Sequence, residues 1–333
     1  MKHNLYNIDC IKGAKKYIKD DRVDLIITDP PYGIKGNSLH KHYNRNEKNV
    51  IDGYIEIPIE EYEKFSIKWI KEAERILRPG GSIYIVSGYT NLNHILNALE
   101  KTNLKQKNHI IWKYNFGVHT KNKYVSSHYH ILYYVKPGNK PVFNTYCRFG
   151  PDEKDEDNKS LNYQDREDVW IINREYKPGK TKNKNELPTE LLAKMIQYSS
   201  NHGDLICDMF LGGFSTAVVS IGLNRNIFGF EKSKNIYEHG IKRIKKIKPG
   251  NLLENIRNPN INLPENQGKK WTSDDFQDLY GRYIELYNKY KSKEKTINLL
   301  CKEFGRGKFS IINALNKIEK NDKRTNTKLE EFT

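Results

Sequence analysis

Cysteine is scarce in this sequence, long apolar runs are absent, and acid is outnumbered by base. Four cysteines (Cys10, Cys147, Cys207 and Cys301) are scattered through 333 residues with no C-x-x-C pair. Neither a zinc site nor a disulfide framework is therefore predicted. No apolar run approaches the roughly 20 residues that cross a bilayer. The N-terminal MKHNLYNIDC has no apolar signal-peptide core. A reducing, cytoplasmic setting is expected. No internal repeat is present, and no Gly-Lys-Ser/Thr completes a Walker A loop. His128 and His130 stand two apart on a predicted strand and share a face. They lack further ligands at metal spacing, so no metal is expected.

Base is abundant. Lys and Arg number 57 against 41 Asp and Glu, a formal net charge of +16. A charge of that size points to a polyanion such as nucleic acid, although a lysine-rich composition alone would also produce it. The length suits one large α/β domain, or a domain plus an appendage.

Apolar patterning predicts strands at 22–28, 82–88, 109–114 and 128–136. Helices are predicted at 59–77, 91–102 and 189–200, and "RPGG" (78–81) reads as a helix stop. Residues 203–223 read as strand, glycine turn and helix, followed by a strand at 226–233. Strands alternating with helices imply a largely parallel sheet covered on both faces. From 137 to 186 the pattern weakens, and the polar stretch 151–168 reads as an excursion from the core. "KRIKKIKPG" (242–250) has isoleucines at helical spacing, so its lysines need only solvate the outer face. Residues 258–270 read as a linker. Three helical patterns follow at 273–290, 294–305 and 308–320, with a frayed tail beyond.

Two strand ends carry chemistry. "IITDPPYGIKG" (26–36) runs a buried strand into Asp29, two prolines and Tyr32. Pro30 and Pro31 donate no N–H and fix φ, so the strand stops there with a stiff edge. "CDMFLGGFST" (207–216) is a strand end at Asp208, a Gly212-Gly213 turn and a helix start near Ser215. Backbone N–H groups at such a turn can approach a ligand closely. Glu231 ends the next strand, where a carboxylate can accept from ribose hydroxyls.

Together these motifs resemble the β group of DNA amino-methyltransferases of restriction–modification systems. Asp29-Pro30-Pro31-Tyr32 matches the family's catalytic motif, and Phe210-Leu211-Gly212-Gly213 its cofactor turn, in the permuted order of that group. The resemblance covers about residues 3–245. It implies a Rossmann-like S-adenosylmethionine methyltransferase fold: a mixed, mostly parallel sheet flanked by helices, circularly permuted, with a helical C-terminal appendage. Residues 1–136 would form the catalytic half, 137–184 a target-recognition insertion, 185–257 the cofactor half and 265–333 the appendage.

The implied catalytic residues are Asp29, Pro30, Pro31 and Tyr32. S-adenosylmethionine would contact Asp9, Cys10, Asp29, Leu187 and Pro188 from one side of the chain order. From the other it would meet Asp208, Phe210, Gly212, Gly213, Ser215 and Glu231. The chain departs from the family at Glu186-Leu187-Pro188, where Gln-Lys-Pro is usual, and at Phe214, where glycine is usual. The implied substrate is double-stranded DNA with its target base flipped out, and a homodimer is one assembly left open.

In the recognition segment Arg148, Arg166, Arg174, Lys177 and Lys182 are the candidate DNA contacts, with Lys180 and Lys184 beside them. Loop 33–57, with His40 and His42, would close over DNA or cofactor, or be disordered. Asp29 leans toward adenine-N6 over cytosine-N4. A non-catalytic DNA-binding protein on this scaffold and an RNA amine methyltransferase stay open as rivals. Residues 296–318, two helices about a Gly305-Arg306-Gly307 turn, have the size of a helix-turn-helix but equally of a simple packing unit.

Overall fold

A computed structural model describes residues 3–33, 57–115, 117, 121–175, 186–257, 264–266 and 269–330. It separates into two units, Met1–Pro259 and Asn260–Thr333. Among the described residues no helix is long and apolar enough to cross a membrane.

The first unit is built on an eight-stranded sheet. Its strands are β1 (His3–Asn7), β2 (Val23–Thr28), β3 (Leu77–Ser87), β4 (Lys105–Lys113), β5 (His128–Val135), β6 (Val169–Ile171), β7 (Leu205–Asp208) and β8 (Asn226–Glu231). The spatial order is β1-β8-β7-β2-β3-β5-β4-β6. Neighbours from β1 to β3 run parallel. β5 lies antiparallel between β3 and β4, and β6 joins β4 in parallel. The sheet is thus mixed and mostly parallel, with a Rossmann-like half and an antiparallel pair beside it.

Alternation along β2 assigns its side chains to two cores. Ile26 packs with Trp69, Ile70 and Ile83 under α1 (Cys10–Tyr17), α2 (Ile59–Ile76) and α3 (Leu92–Glu100). Leu25 and Ile27 pack on the other face, where α5 (Thr189–Ser199) and α6 (Ser215–Gly222) lie. All three are fully buried, and each contributes about 1.5–3 kcal/mol relative to exposure. α7 (Lys234–Ile244), which contains the start of the basic run, turns Ile236 inward and leaves Lys242 on its outer face.

Two expectations need correction. "RPGG" does end α2, but its residues belong to β3 and not to a free turn. Val23 pairs with Leu77 while Leu25 pairs with Ser82, so Arg78–Gly81 bulge out, with Gly80 at φ +77°. The segment after 137 is not wholly an excursion. Val169–Ile171 adds an edge strand, α4 (Leu161–Asp165) forms a short helix, and Asn144 Nδ2 donates to the carbonyls of Gln197 and Ser200 at 3.0 Å each.

The second unit contains α8 (Ser273–Tyr290), α9 (Lys293–Glu303) and α10 (Lys308–Glu330) around a core of Leu279, Leu286, Ile297, Leu300, Ile311, Ala314 and Leu315. α10 continues through the stretch expected to fray.

Candidate active site

β2 and β7 are neighbours although 180 residues separate them. From β2 the chain crosses to β3 on one side, and from β7 to β8 on the other. The carboxyl ends of β2 and β7 therefore flank the switch point where open α/β sheets bind ligands. Asp29 follows β2 and Asp208 ends β7. The hydroxyl of Thr28 donates to Asp208 Oδ1 at 3.0 Å, and the N–H of Phe210 donates to the same oxygen at 3.0 Å.

Asp29 is held from several directions. Tyr32 Oη donates to its Oδ1 at 2.6 Å. Tyr62 Oη donates to the carbonyl of Pro31 at 2.7 Å, and Asn91 Nδ2 donates to the carbonyls of Tyr32 at 2.6 Å and Gly33 at 3.2 Å. The proline edge is thereby fixed by α2 and by the start of α3. Burial raises the Asp29 carboxyl to about 7; the Tyr32 hydrogen bond opposes this, Asp208 adds to it, and the Arg174 charge opposes it. Burial also raises Asp208, to about 6, against donors from Thr216, Phe210 and Thr28. Two buried carboxylates with elevated values at one switch point are the pattern of a candidate functional site.

An aromatic wall adjoins Asp29. Tyr32 lies 5.8 Å from Tyr129, ring centre to ring centre, and Tyr129 lies 5.6 Å from Trp112 and 5.7 Å from Tyr114. The guanidinium of Arg174 sits among these rings, 4.7 Å from Tyr114, 5.1 Å from Tyr129 and 5.8 Å from Trp112. Arg174, one of the candidate DNA contacts, thus stands at this wall beside Asp29, its Nε buried without a hydrogen-bond partner. Arg148 has partners within the protein. Its Nε donates to Asp165 Oδ2 at 3.0 Å, its Nη1 to Gln197 Oε1 at 3.3 Å, and only 13% of the side chain is exposed. Its guanidinium is thus committed to a carboxylate of the same chain. Arg166 is exposed. Lys177, Lys180, Lys182, Lys184, His40 and His42 lie outside the described residues.

The glycine turn brings the expected cofactor residues together around β7, β8 and α6. Gly212 has φ +47°, and its N–H donates to Glu231 Oε2 at 3.0 Å; Ser233 N–H donates to Glu231 Oε1 at 2.7 Å. Burial raises the Glu231 carboxyl. Phe214 adopts a left-handed φ of +64°, and its fully buried ring presses on Gly240, where an added Cβ would come within 2.2 Å. The aromatic residue at the usual glycine position is therefore accommodated by removing a side chain from α7. Phe210 packs against Phe65 and Trp69. Ser215 Oγ is buried with no hydrogen-bond partner at the start of α6.

Asp9 is the N-cap of α1, its Oδ1 accepting from the N–H groups of Ile11 and Lys12 at 3.1 Å each. Cys10 is buried beneath it, and its thiol is pushed up by burial. Pro188 caps α5 with Leu187 partly buried before it. Glu186, in place of the family's glutamine, receives Arg243 Nη1 at 3.0 Å and lies so close to Gly213 that a Cβ there would meet Oε1 at 2.5 Å.

Sequence reasoning missed Thr28, Tyr62, Asn91 and the Arg174 wall. Only the wall left a sequence signal, the aromatic density of Trp112, Tyr114 and Tyr129. His109 Nε2 lies 2.8 Å from His130 Nδ1, and burial and the neighbouring His109 and His128 lower His130 to about 4. Among the described residues no group of three or more His, Cys, Asp or Glu is placed to hold a metal.

A family model described as DNA methylase, N6_N4_Mtase, matches residues 23–242. The type II methyltransferase M.BamHI of Bacillus amyloliquefaciens is 31% identical over 297 residues, covering 82% of this chain and 66% of that protein. The DNA adenine methyltransferase YhdJ of Escherichia coli K12 is 29% identical, covering 75% of this chain and 90% of that protein. Among solved structures, the M1.HpyAVI–SAM complex superposes with a TM-score of 0.50 at 23% identity, over 72% of this chain and 98% of that one.

Proposed function

The chain belongs to the N6/N4 DNA methylase family, and we propose that it transfers a methyl group from S-adenosylmethionine to the exocyclic N6 amine of adenine in duplex DNA, as the modification enzyme of a restriction–modification system. The observation that carries the reading is the fixed acceptor edge at the end of β2, next to the carboxyl end of β7.

An aromatic amine is a poor nucleophile because its lone pair is delocalised into the base. Asp29 and the carbonyl of Pro30 would accept its two N–H hydrogens, which favours a localised lone pair. The prolines, with Tyr62 and Asn91 bonded to the edge, keep these acceptors from drifting. This is positioning and electrostatic preorganisation. Tyr32 orients Asp29 Oδ1, and Oδ2 is the oxygen assigned to the amine. With Tyr129, the Tyr32 ring offers an apolar surface for a base taken out of the stack.

The residues around the glycine turn fit a nucleoside sulfonium. The Glu231 carboxylate is suited to ribose hydroxyls, the unpartnered Ser215 hydroxyl to a polar group of the ligand, and Gly212-Gly213 to close backbone approach. Asp29 and Asp208 offer negative charge to a cation. When bound, S-adenosylmethionine supplies an electrophilic methyl group on sulfur. Asp29 need not remove a proton beforehand, because the amine can lose it after transfer.

Aspartate at position 29 favours adenine, and YhdJ, similar over most of its length, is named an adenine methyltransferase. The family also includes cytosine-N4 enzymes, which makes N4-methylcytosine the alternative product. Single-molecule sequencing of DNA from a methylation-deficient host expressing the gene tests both. N6-methyladenine at one defined sequence is expected. N4-methylcytosine would overturn the base assignment, and unmodified DNA would favour a non-catalytic DNA-binding role.

A further inference from the structure

The second unit has a surface that the methyl-transfer reading leaves unused. α9 and α10 are joined by four residues, Phe304–Gly307, with Gly305 at φ +56°. The turn is locked by Arg306, whose guanidinium is buried and lies 4.3 Å from the Trp271 ring. It donates to the carbonyl of Lys269 at 2.6 Å and to that of Lys270 at 3.2 Å. α8 enters through a Thr272/Asp275 capping box and closes the bundle with Leu279 and Leu286. Three helices with a short locked turn before the last form the frame of a helix-turn-helix.

α10 has two different faces. Ile311, Ala314 and Leu315 are buried, and Ile318 packs against them. Lys308, Phe309, Asn313, Asn316 and Lys317 are exposed on the opposite side. Phe309, Asn313 and Asn316 follow i, i+4, i+7 spacing and so form one stripe. Phe309 is 82% exposed in the first turn, an apolar ring spent on solvent. Residues 291–320 carry eight Lys and Arg against three Glu. The side-chain chemistry of the stripe matches base edges: asparagine pairs with adenine N6 and N7, and an apolar ring meets the thymine methyl group. Lysines at its margins suit phosphates.

We propose that the α9–α10 pair is a second DNA-reading element, with α10 lying in the major groove and Phe309, Asn313 and Asn316 facing the bases. The proposal deepens the reading of duplex DNA as substrate and rests on it. It gives the enzyme base contacts outside the segment 137–184.

The test uses the full chain. Fluorescence anisotropy measures binding to labelled 40-base-pair duplexes containing the sequence identified by sequencing. Steady-state methylation of the same duplexes is followed in parallel. Phe309→Ala/Asn313→Ala/Asn316→Ala alters only exposed side chains, so the melting temperature should hold. Binding to the target is expected to weaken at least tenfold, with S-adenosylmethionine affinity and kcat at saturating DNA unchanged. Lys308→Ala/Lys317→Ala is expected to weaken target and random duplexes alike and to flatten the logarithmic salt dependence by up to about two. Unchanged DNA affinity and salt dependence in both well-folded variants would overturn the proposal. If the wild-type chain binds duplex DNA through these residues but methylates nothing, the reading of the active site fails while this surface stands. If both variants bind the target duplex as tightly as wild type and methylate it as fast at sub-saturating DNA, the reverse holds.

Discussion

The hydroxyl of Thr28 donates to Asp208 Oδ1 at 3.0 Å, joining the two strand ends that bear the catalytic and cofactor motifs. Both residues are buried. The bond ties the Asp29–Tyr32 edge to the glycine turn across 180 residues of chain.

Thr28→Val should therefore disturb both halves. It removes a donor from a buried carboxylate and leaves that oxygen less satisfied, a loss of about 1–3 kcal/mol. Chemical denaturation should show the lower stability, and Thr28→Ser should restore most of it. A valine variant as stable as wild type would mean that water or a ligand replaces the hydroxyl.

Asp29→Ala should abolish methyl transfer while S-adenosylmethionine still binds. An acceptor engaged mainly in the transition state is worth roughly a hundredfold or more in turnover. Radiolabel transfer and calorimetric cofactor titration separate the two effects. Near-normal turnover would sink the proposed role of the β2 edge.

The pH profile should have an acidic limb. Asp29 must be ionised to accept from the amine, and burial holds its carboxyl at about 7 in the free protein. The rate at low substrate should fall as pH drops through that value. Arg174 favours the ionised form, so Arg174→Gln should move the limb to higher pH, whereas Arg174→Lys should move it less. A profile that is flat from pH 6 to 8 in all three proteins would refute the assignment.

The same elevation affects stability with the opposite sense. The unfolded carboxylates of Asp29 and Asp208 release protons near 3.8, before the folded ones do at about 7 and about 6. Between these limits the folded state binds more protons, so these two groups make stability fall as pH rises. Asp29→Asn should reduce that slope in melting temperature between pH 4.5 and 7.

Glu231→Ala should weaken S-adenosylmethionine binding more than DNA binding. Loss of a charge-assisted hydrogen bond costs about 1.5–3 kcal/mol, and the substitution also frees the N–H groups of Gly212 and Ser233. Calorimetry on the free protein gives the cofactor affinity. An unchanged value would transfer ribose recognition to another residue.

Arg148→Ala separates packing from base reading. Its pairing with Asp165, which also accepts from Tyr198 Oη at 2.6 Å, predicts a lower melting temperature and an unaltered methylated sequence. A changed target sequence in a folded variant would return Arg148 to the DNA interface.

Much of the first unit was legible because local chemistry decided it. Leu25, Ile26 and Ile27 form a buried run, Pro30 and Pro31 cannot continue a ladder, and Gly212-Gly213 breaks a strand into a helix. These features report their structure wherever they occur. Residues 78–81 misled because proline and glycines signal a turn equally well when they bulge within a strand. Val169–Ile171 was underrated because a three-residue edge strand has too little pattern to stand out until β4 pairs with it.

The sequence by itself determined the motifs, their order and the family. Only the tertiary structure decided which side chains share a site. An arginine in a basic segment reads as a DNA contact whether it ends beside Asp165, as Arg148 does, or among Trp112, Tyr114 and Tyr129, as Arg174 does. Charge is a property of the residue, but its partner depends on chain crossings that span many tens of residues. Thr28 and Asp208 meet for the same reason: hydrogen bonding acts over about 3 Å in space, and sequence separation does not enter it.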